Sequence, residues 1–403
     1  MTAGVGGKRD RRRPRIAVVG NLANVGYRLT KSMRDAGMAV DFFPLESDFA
    51  DPTNNPLRVD PDLLEVRPDW LRTVGLPRRR FGTMPESRLG RVGFGIAWRL
   101  RQVALWREFR QYDLIQSVNI GYLWLNRVGR PHVALATGFD LRELSAEQTD
   151  QGRRAAEFFK DATVVLYPPD RKAYNQVQNL GLVDAQPNFL QVDTQYFSPE
   201  AAGSRSDSNF VIFHPTRLDW TDSTGRTLKA NDRIFRAVAG LKSRGIRAEI
   251  HYLERGYDVD ATRMLISELD IGDRVTAIRT SLDDERLRAQ YRRADVVADQ
   301  FDLGSLGLVC LEAMSSGTPV LVDIDPEYSS EVYGRRVPVF HARSVADIAE
   351  HVSVLIEDRA LVRDFGSRSR EFVLEFHSSS VSNNRLLKVY SRLLGCPVEK
   401  LLN

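Results

Sequence analysis

The sequence predicts an α/β protein built of two Rossmann-like, doubly wound domains. Three observations predict it. Short apolar runs alternate with segments whose apolar residues recur at helical spacing, the pattern of parallel strands joined by crossover helices. The chain has 403 residues, 42% of them hydrophobic, which is long for one domain and comfortable for two. A small, polar run, A-A-G-S-R-S-D-S at Ala201 to Ser208, separates two such blocks and reads as a linker. The expected division is a disordered basic tail over 1–14, a first domain over 15–200, the linker 201–208, a second domain over 209–377 and a closing segment 378–403.

The first block opens with the apolar strand Ile16–Val19, a turn Gly20 to Tyr27, helical spacing at Leu29, Met33 and Ala36, a stop at Gly37 and a second strand over Ala39–Phe43. A dinucleotide fold wants G-x-G-x-x-G after the first strand, and Gly20-Asn21-Leu22 lacks it, which counts against a dehydrogenase. Phe49 to Leu76 carries no periodic signal. From Arg72 to Arg110 ten arginines face only Glu86 and Glu108, with Trp98, Trp106 and Phe109 on an expected helix. Three readings fit this stretch: a solvated basic face with core aromatics, an anionic membrane surface, or a hold on a phosphorylated acceptor. Further strands are expected at Leu114–Val118, Val133–Ala136 and Thr163–Tyr167, with short helices over Tyr122–Val128 and Asp170–Leu180. Asp140 followed by Glu143 makes a capping box, and Thr137 and Gly138 sit at a strand's carboxyl end, where α/β folds place ligands.

The second block opens at Phe210–His214, followed by Pro215-Thr216-Arg217. Lys229 lies at the start of a helix running on from Ala230. Strands recur at Ala248–Leu253, Val275–Ile278 and Asp295–Ala298. Residues 298–322 read A-D-Q-F-D-L-G-S-L-G-L-V-C-L-E-A-M-S-S-G-T-P-V-L-V. Gly304, Ser305 and Gly307 suit a tight turn with outward amides; Leu306, Val309, Leu311, Ala313 and Met314 give an apolar helix that Gly317 stops and Pro319 blocks. A helix N-terminus of this kind favours phosphate, and the carboxylate of Glu312 suits sugar hydroxyls. An ordinary crossover with a Gly-rich turn has the same local pattern. Ser378–Leu394 reads as a last amphipathic helix.

Composition narrows the function. Lys and Arg number 57 against 53 Asp and Glu, a net of +4, too small an excess to predict nucleic-acid binding. Two cysteines, Cys310 and Cys396, exclude a disulfide scaffold, and no apolar run reaches the roughly 18–20 residues that span a bilayer. A cytoplasmic protein without a signal peptide is expected, possible contact with the inner face of a membrane resting on Arg72–Arg110. Asp258-Val259-Asp260 and Asp323-Ile324-Asp325 match the letters of an Asp-x-Asp metal site but sit in turn-like contexts; six scattered histidines, His132 and His214 among them, have no zinc spacing. Neither a metal nor a cofactor is expected.

The stretch G-S-L-G-L-V-C-L-E-A-M-S-S-G-T-P-V resembles the C-terminal signature of retaining glycosyltransferases of family 4, E-G-F-G-L-x-x-L-E-A-M-A-x-G-x-P-V. T-G-F-D-L-R-E-L at 137–144 and the run Pro187 to Phe197 resemble other segments of that family. The resemblance implies the GT-B fold, its two domains facing each other across a cleft, with the closing helix packed back on the first, acceptor-side domain. It implies transfer of a sugar, with retention, from a nucleotide diphosphate sugar to a glycan, lipid-linked or small-molecule acceptor. By the same resemblance Glu312 contacts the nucleotide ribose and Arg217 and Lys229 hold the diphosphate, although Leu218 to Leu228 makes an unusually long gap between them. Gly304, Ser305, Leu306 and Gly307 line the donor, Arg279 and Thr280 meet the base, and Asn21, Thr137, Gly138 and Asp140 line the acceptor side. The first Glu of the signature falls on Gly304; Asp302, two residues upstream, is the nearest carboxylate that offers a replacement. Two alternatives stay open: a nucleotide-sugar 2-epimerase on the same fold, and a non-catalytic nucleotide-sugar-binding protein.

Overall fold

A computed structural model describes residues 12–44, 60, 68–72, 103–120, 125–200, 209–221, 229–280 and 282–402. The expected linker 201–208, most of the tail and most of the basic stretch, 73–102, lie outside the described residues.

The first sheet is built from β1 (Arg15–Val19), β2 (Ala39–Phe43), β3 (Leu114–Val118), β4 (His132–Leu135), β5 (Val164–Tyr167) and β6 (Ala185–Pro187). Its helices include α1 (Val25–Asp35), α2 (Phe139–Arg142), α3 (Asp150–Lys160) and α4 (Arg171–Leu180). All strands are parallel, in the order β2-β1-β3-β4-β5-β6. Runs such as R-I-A-V-V are apolar almost throughout because both faces of a parallel sheet are covered.

The second sheet holds β7 (Phe210–His214), β8 (Ala248–Leu253), β9 (Val275–Ile278), β10 (Val296–Ala298), β11 (Val320–Val322) and β12 (Phe340–His341). Its order, β12-β11-β10-β7-β8-β9, is again all parallel. The helices are α5 (Asp232–Ser243), α6 (Val259–Glu268), α7 (Asp284–Arg293), α8 (Leu308–Ser315), α9 (Pro326–Tyr333), α10 (Val345–Glu357), α11 (Arg359–His377), α12 (Ser379–Leu394) and α13 (Glu399–Leu402). In each sheet the strand order reverses once, between β1 and β3 and between β7 and β10. Crevices at such reversals, beyond the strands' carboxyl ends, are where doubly wound sheets bind ligands.

α12 follows the second sheet in sequence but belongs to the first in space. Leu386, Leu387 and Tyr390 share one core with Ile16, Val18, Tyr27 and Met33. The chain crosses at His377, whose ring sits 2.7 Å from the Leu190 carbonyl and 3.1 Å from the Tyr333 hydroxyl. Burial pushes the His377 pKa down to about 4.

Most expected strands agree with the observed ones to within a residue. Two short edge strands, β6 and β12, carry no signal in their sequence, and neither α3 nor the helices over 326–377 are marked by it. Leu306 is in the turn rather than the helix, because α8 begins only at Leu308 with Gly307 as its N-cap.

Candidate active site

The strand-order reversal of the second sheet sets the centre of the site. At the end of β10, Asp299 is buried and accepts from the Thr216 hydroxyl at 2.6 Å and the Cys310 thiol at 3.0 Å. The next residue, Gln300, uses its whole side-chain amide on backbone. It donates to the carbonyls of Ser305 and Asp323 at 2.8 and 2.9 Å and accepts from the amides of Asp302 and Leu303 at 3.2 and 2.6 Å. This buried Gln shapes the turn over Gly304–Gly307 and leads it into α8.

Arg217 and Lys229 are far apart in sequence but share a loop base. The Lys229 amide donates to the Asp219 carbonyl at 2.6 Å, and the Lys229 carbonyl accepts from Phe301 at 3.0 Å. Arg217, half of it exposed, pairs with Asp219 at 2.8 Å and lies over the Tyr257 ring. Burial holds the Lys229 ammonium below its ordinary pKa; Asp299 opposes that shift, and the Arg217 and Arg142 charges add to it. Arg142 belongs to the first domain. Its side chain is 7% exposed and pairs with Asp170 at 2.6 Å, while its buried Nε, 4.0 Å from Glu143 Oε1, has no hydrogen-bond partner among the described residues. Cations from both domains therefore act on Lys229.

A pocket of about 350 Å³ opens by Pro215 and Arg255; Arg217, Lys229 and the Gly304–Gly307 turn are not among the residues that line it. It is lined by Glu312, Tyr291, Arg279, Thr280 and Leu308 from the second domain and by Arg28 from the first. Thus Glu312, Arg279 and Thr280 share one pocket. Glu312 is 4% exposed; Tyr291 donates to its Oε2 at 3.0 Å and Arg28 to its Oε1. Arg279 is bound to Glu254 at 2.9 Å, and hydrogen bonding from Arg263, joined by the Arg279 charge, holds the Glu254 carboxyl down at about 2.

The first domain's loops are built differently. Gly20 has φ +92°, and a Cβ on Gly26 would strike the Gly20 carbonyl, so α1 starts close against the end of β1. Asn21 is buried: its amide donates to Asn24 at 3.1 Å and its oxygen accepts from the Tyr27 amide at 2.8 Å. Asp140 is buried too, and accepts from the backbone amides of Thr137, Gly138 and Leu141 at 2.8–3.1 Å. Burial raises the Asp140 pKa while those amides pull it back. Both side chains hold their own loops; Thr137 and Gly138 lie on the loop that Asp140 ties.

In the turn before α8, Gly304 has φ +74° and open space where a side chain would stand. The Asp302 carboxylate is engaged by Arg343 at 3.2 Å and approached by Arg233 at 3.8 Å. The domains also touch here, through Lys172 on the Asp302 carbonyl and Arg171 on Asp325, both at 3.2 Å.

Comparison with known proteins bears on this arrangement. A match to the family described as glycosyl transferases group 1 spans residues 225–372. The chain is 30% identical over 314 residues to a D-inositol 3-phosphate glycosyltransferase of Saccharomonospora viridis, covering 70% of this chain and 71% of that one. The chain belongs to the group 1 glycosyl transferases. A D-inositol 3-phosphate glycosyltransferase of Mycolicibacterium smegmatis is 38% identical over 215 residues, 51% of this chain and 46% of that one. Among solved structures, sucrose-phosphate synthase from Thermosynechococcus elongatus superposes with a TM-score of 0.68 at 16% identity, covering 95% of this chain and 100% of that one. Anabaena Alr3699/HepE in complex with UDP-glucose gives 0.65 at 16% identity, covering 94% and 99%. The fold of this glycosyltransferase is GT-B, two Rossmann-like domains.

The Asp-x-Asp letters have structural uses in the glycosyltransferase. Asp325 caps α9 through the Tyr328 amide at 2.8 Å, and Asp258 accepts from Trp220 and Thr221. His214 is buried between the Ala298 carbonyl and the Asn231 amide, each at 2.8 Å. In the described end of the basic stretch, Leu105 and Phe109 are buried and Trp106 donates to the Arg127 carbonyl at 2.8 Å, so these residues face the core. No helix among the described residues is long and apolar enough to cross a membrane. Sequence reasoning did not pick out Arg28, Tyr291, Asp299 or Gln300; Arg142 stood inside the quoted T-G-F-D-L-R-E-L segment without a role.

Proposed function

We propose that this glycosyltransferase moves a hexosyl group, with retention of anomeric configuration, from a nucleoside diphosphate sugar to a small phosphorylated polyol. The observation that supports the donor half is the pocket that gathers Glu312, Arg279 and Thr280 with Pro215, two residues before Arg217. Glu312 accepts from the ribose hydroxyls. Lys229, Arg217 and the amides of the Gly304–Gly307 turn stabilise the leaving diphosphate as its charge develops, in a site already oriented for it. Retention is what the family 4 signature around Glu312 supports. For the acceptor, the support is the name of the curated relatives, inositol 3-phosphate, and the first-domain cation Arg142 acting on Lys229 across the cleft.

The test is a panel of UDP-, GDP- and ADP-sugars with inositol 3-phosphate and other polyol phosphates, read by mass spectrometry and by NMR of the anomeric proton. A glycosylated product with the donor's own configuration is expected. An epimerised free donor without acceptor, or nucleotide binding without any product across the panel, counts for one of the two alternatives instead. Glu312→Ala is expected to weaken nucleoside diphosphate far more than inorganic pyrophosphate; equal losses discard the ribose role.

A further inference from the structure

Among the described residues of the first domain, Arg28 is the one that bonds to the carboxylate assigned above to the ribose. It projects from α1 with one nitrogen on Glu312 Oε1 and the other 2.7 Å from Asp284 Oδ2, both acceptors in the second domain. The three side chains are 16%, 5% and 8% exposed, so this is a nearly dry ionic triad. Tyr291 holds the other oxygen of Glu312 at 3.0 Å, and the Phe197 ring, just before the expected linker, lies 5.8 Å from the guanidinium. Burial alone lowers an arginine's pKa, but Glu312 and then Asp284 outweigh it here, so the Arg28 charge is fixed.

We propose that Arg28 is a positioning residue for the donor: it acts through Glu312, orienting that carboxylate toward the ribose hydroxyls and tying the formed ribose site to the closed arrangement of the two domains. The chemistry follows from the lone pairs. Each carboxylate oxygen has two acceptor positions, and Arg28 and Tyr291 take one position on each, leaving the others for a vicinal diol. A planar guanidinium can bridge two carboxylates at fixed angles, where an ammonium, a point charge, cannot. Because the Arg28 contact crosses the cleft, opening the domains removes it and frees Glu312 to turn. The idea rests on the ribose reading of Glu312 and adds a residue that neither the family signature nor the first domain's loops contain.

The test uses full-length chain and calorimetry with UDP, GDP and ADP, then with the 2′,3′-dideoxy analogue of whichever binds. Arg28→Gln is expected to lower affinity about tenfold for the ribonucleotide and less than twofold for the dideoxy analogue. In a Glu312→Gln background the same change has no further effect. Asp284→Asn, which leaves Arg28 on Glu312, gives a smaller loss with the same dependence on the hydroxyls; it serves where Arg28→Gln unfolds, as urea melts report. Equal losses for both nucleotides, or losses that add in the double variant, overturn the role of Arg28 while leaving the ribose role of Glu312 standing. A wild-type chain that binds none of the nucleotides overturns both.

Discussion

The two walls of the cleft use polar residues in opposite ways. On the first domain's wall, Asn21 and Asp140 are buried and hydrogen-bonded to their own loops. On the second domain's wall, Arg217 is half exposed, Lys229 is partly buried, and Glu312 lines an open pocket. A polar residue at a strand's carboxyl end therefore does one of two jobs: it builds the loop or it meets the ligand. Burial does not tell the jobs apart, since Glu312 is nearly as buried as Asn21 and Asp140; the partners do, lying within the residue's own loop for those two and on α1 and α7 for Glu312.

The largest expected effect breaks the loop-building wall. Asp140→Ala strips the acceptor from three backbone amides in a buried turn, which costs roughly 3 kcal/mol of stability at about 1 kcal/mol or more for each orphaned donor. Urea midpoints measure it. Nucleoside diphosphate affinity of the folded protein is expected to stay within about twofold. A large affinity loss with unchanged stability moves Asp140 to the ligand-meeting group and removes the contrast.

Next comes Lys229→Met, which tests the other wall. Affinity for a nucleoside diphosphate is expected to fall by about 1.5–3 kcal/mol, the range for a charged hydrogen bond, while stability holds or rises. The sign comes from burial. Lys229 has a folded pKa below its unfolded one, so the charged side chain is a liability at neutral pH that fades as pH climbs toward the unfolded value. The diphosphate needs the charged form. Wild-type affinity should thus decline with rising pH earlier than an ordinary lysine would make it, and Lys229→Arg should abolish that early decline. An affinity profile indifferent to both variants strikes Lys229 from the diphosphate site.

The same contrast explains what was readable in the sequence. The turn into α8 is local: strand, glycines, apolar helix and stop follow one another, so residues 298–322 announce the element order. Lys229 and Arg217 were readable as a pair through the family resemblance, and their meeting depends on one backbone bond, Lys229 to Asp219, that no spacing rule supplies. Arg28 lies 284 positions from Glu312, and an arginine on an amphipathic helix carries no mark of a partner in another domain. Gln300 has the opposite problem. It stands inside the most readable stretch, but a glutamine after a strand is ordinary until its four backbone contacts are seen. Asn21 and Asp140 had the right positions for ligand contact, and only their bonds within their own loops revealed the loop-holding work.

The smallest expected effect sharpens the comparison within the second wall, between its Glu312 end and its Gly304 end. Gly304 sits at φ +74°, and among the described residues no atom beyond its chain neighbours lies within 4 Å of where a Cβ would stand. Backbone strain, not a clash, is then the whole cost of Gly304→Ala: about 1 kcal/mol for a left-handed alanine, read by urea midpoint. If the open space faces the donor's sugar, the methyl group changes affinity for a nucleoside diphosphate sugar and leaves that for the bare diphosphate alone. Equal changes for both ligands place the Gly304 turn on the phosphates, and a stability loss well beyond the strain cost means that the space beside Gly304 is filled.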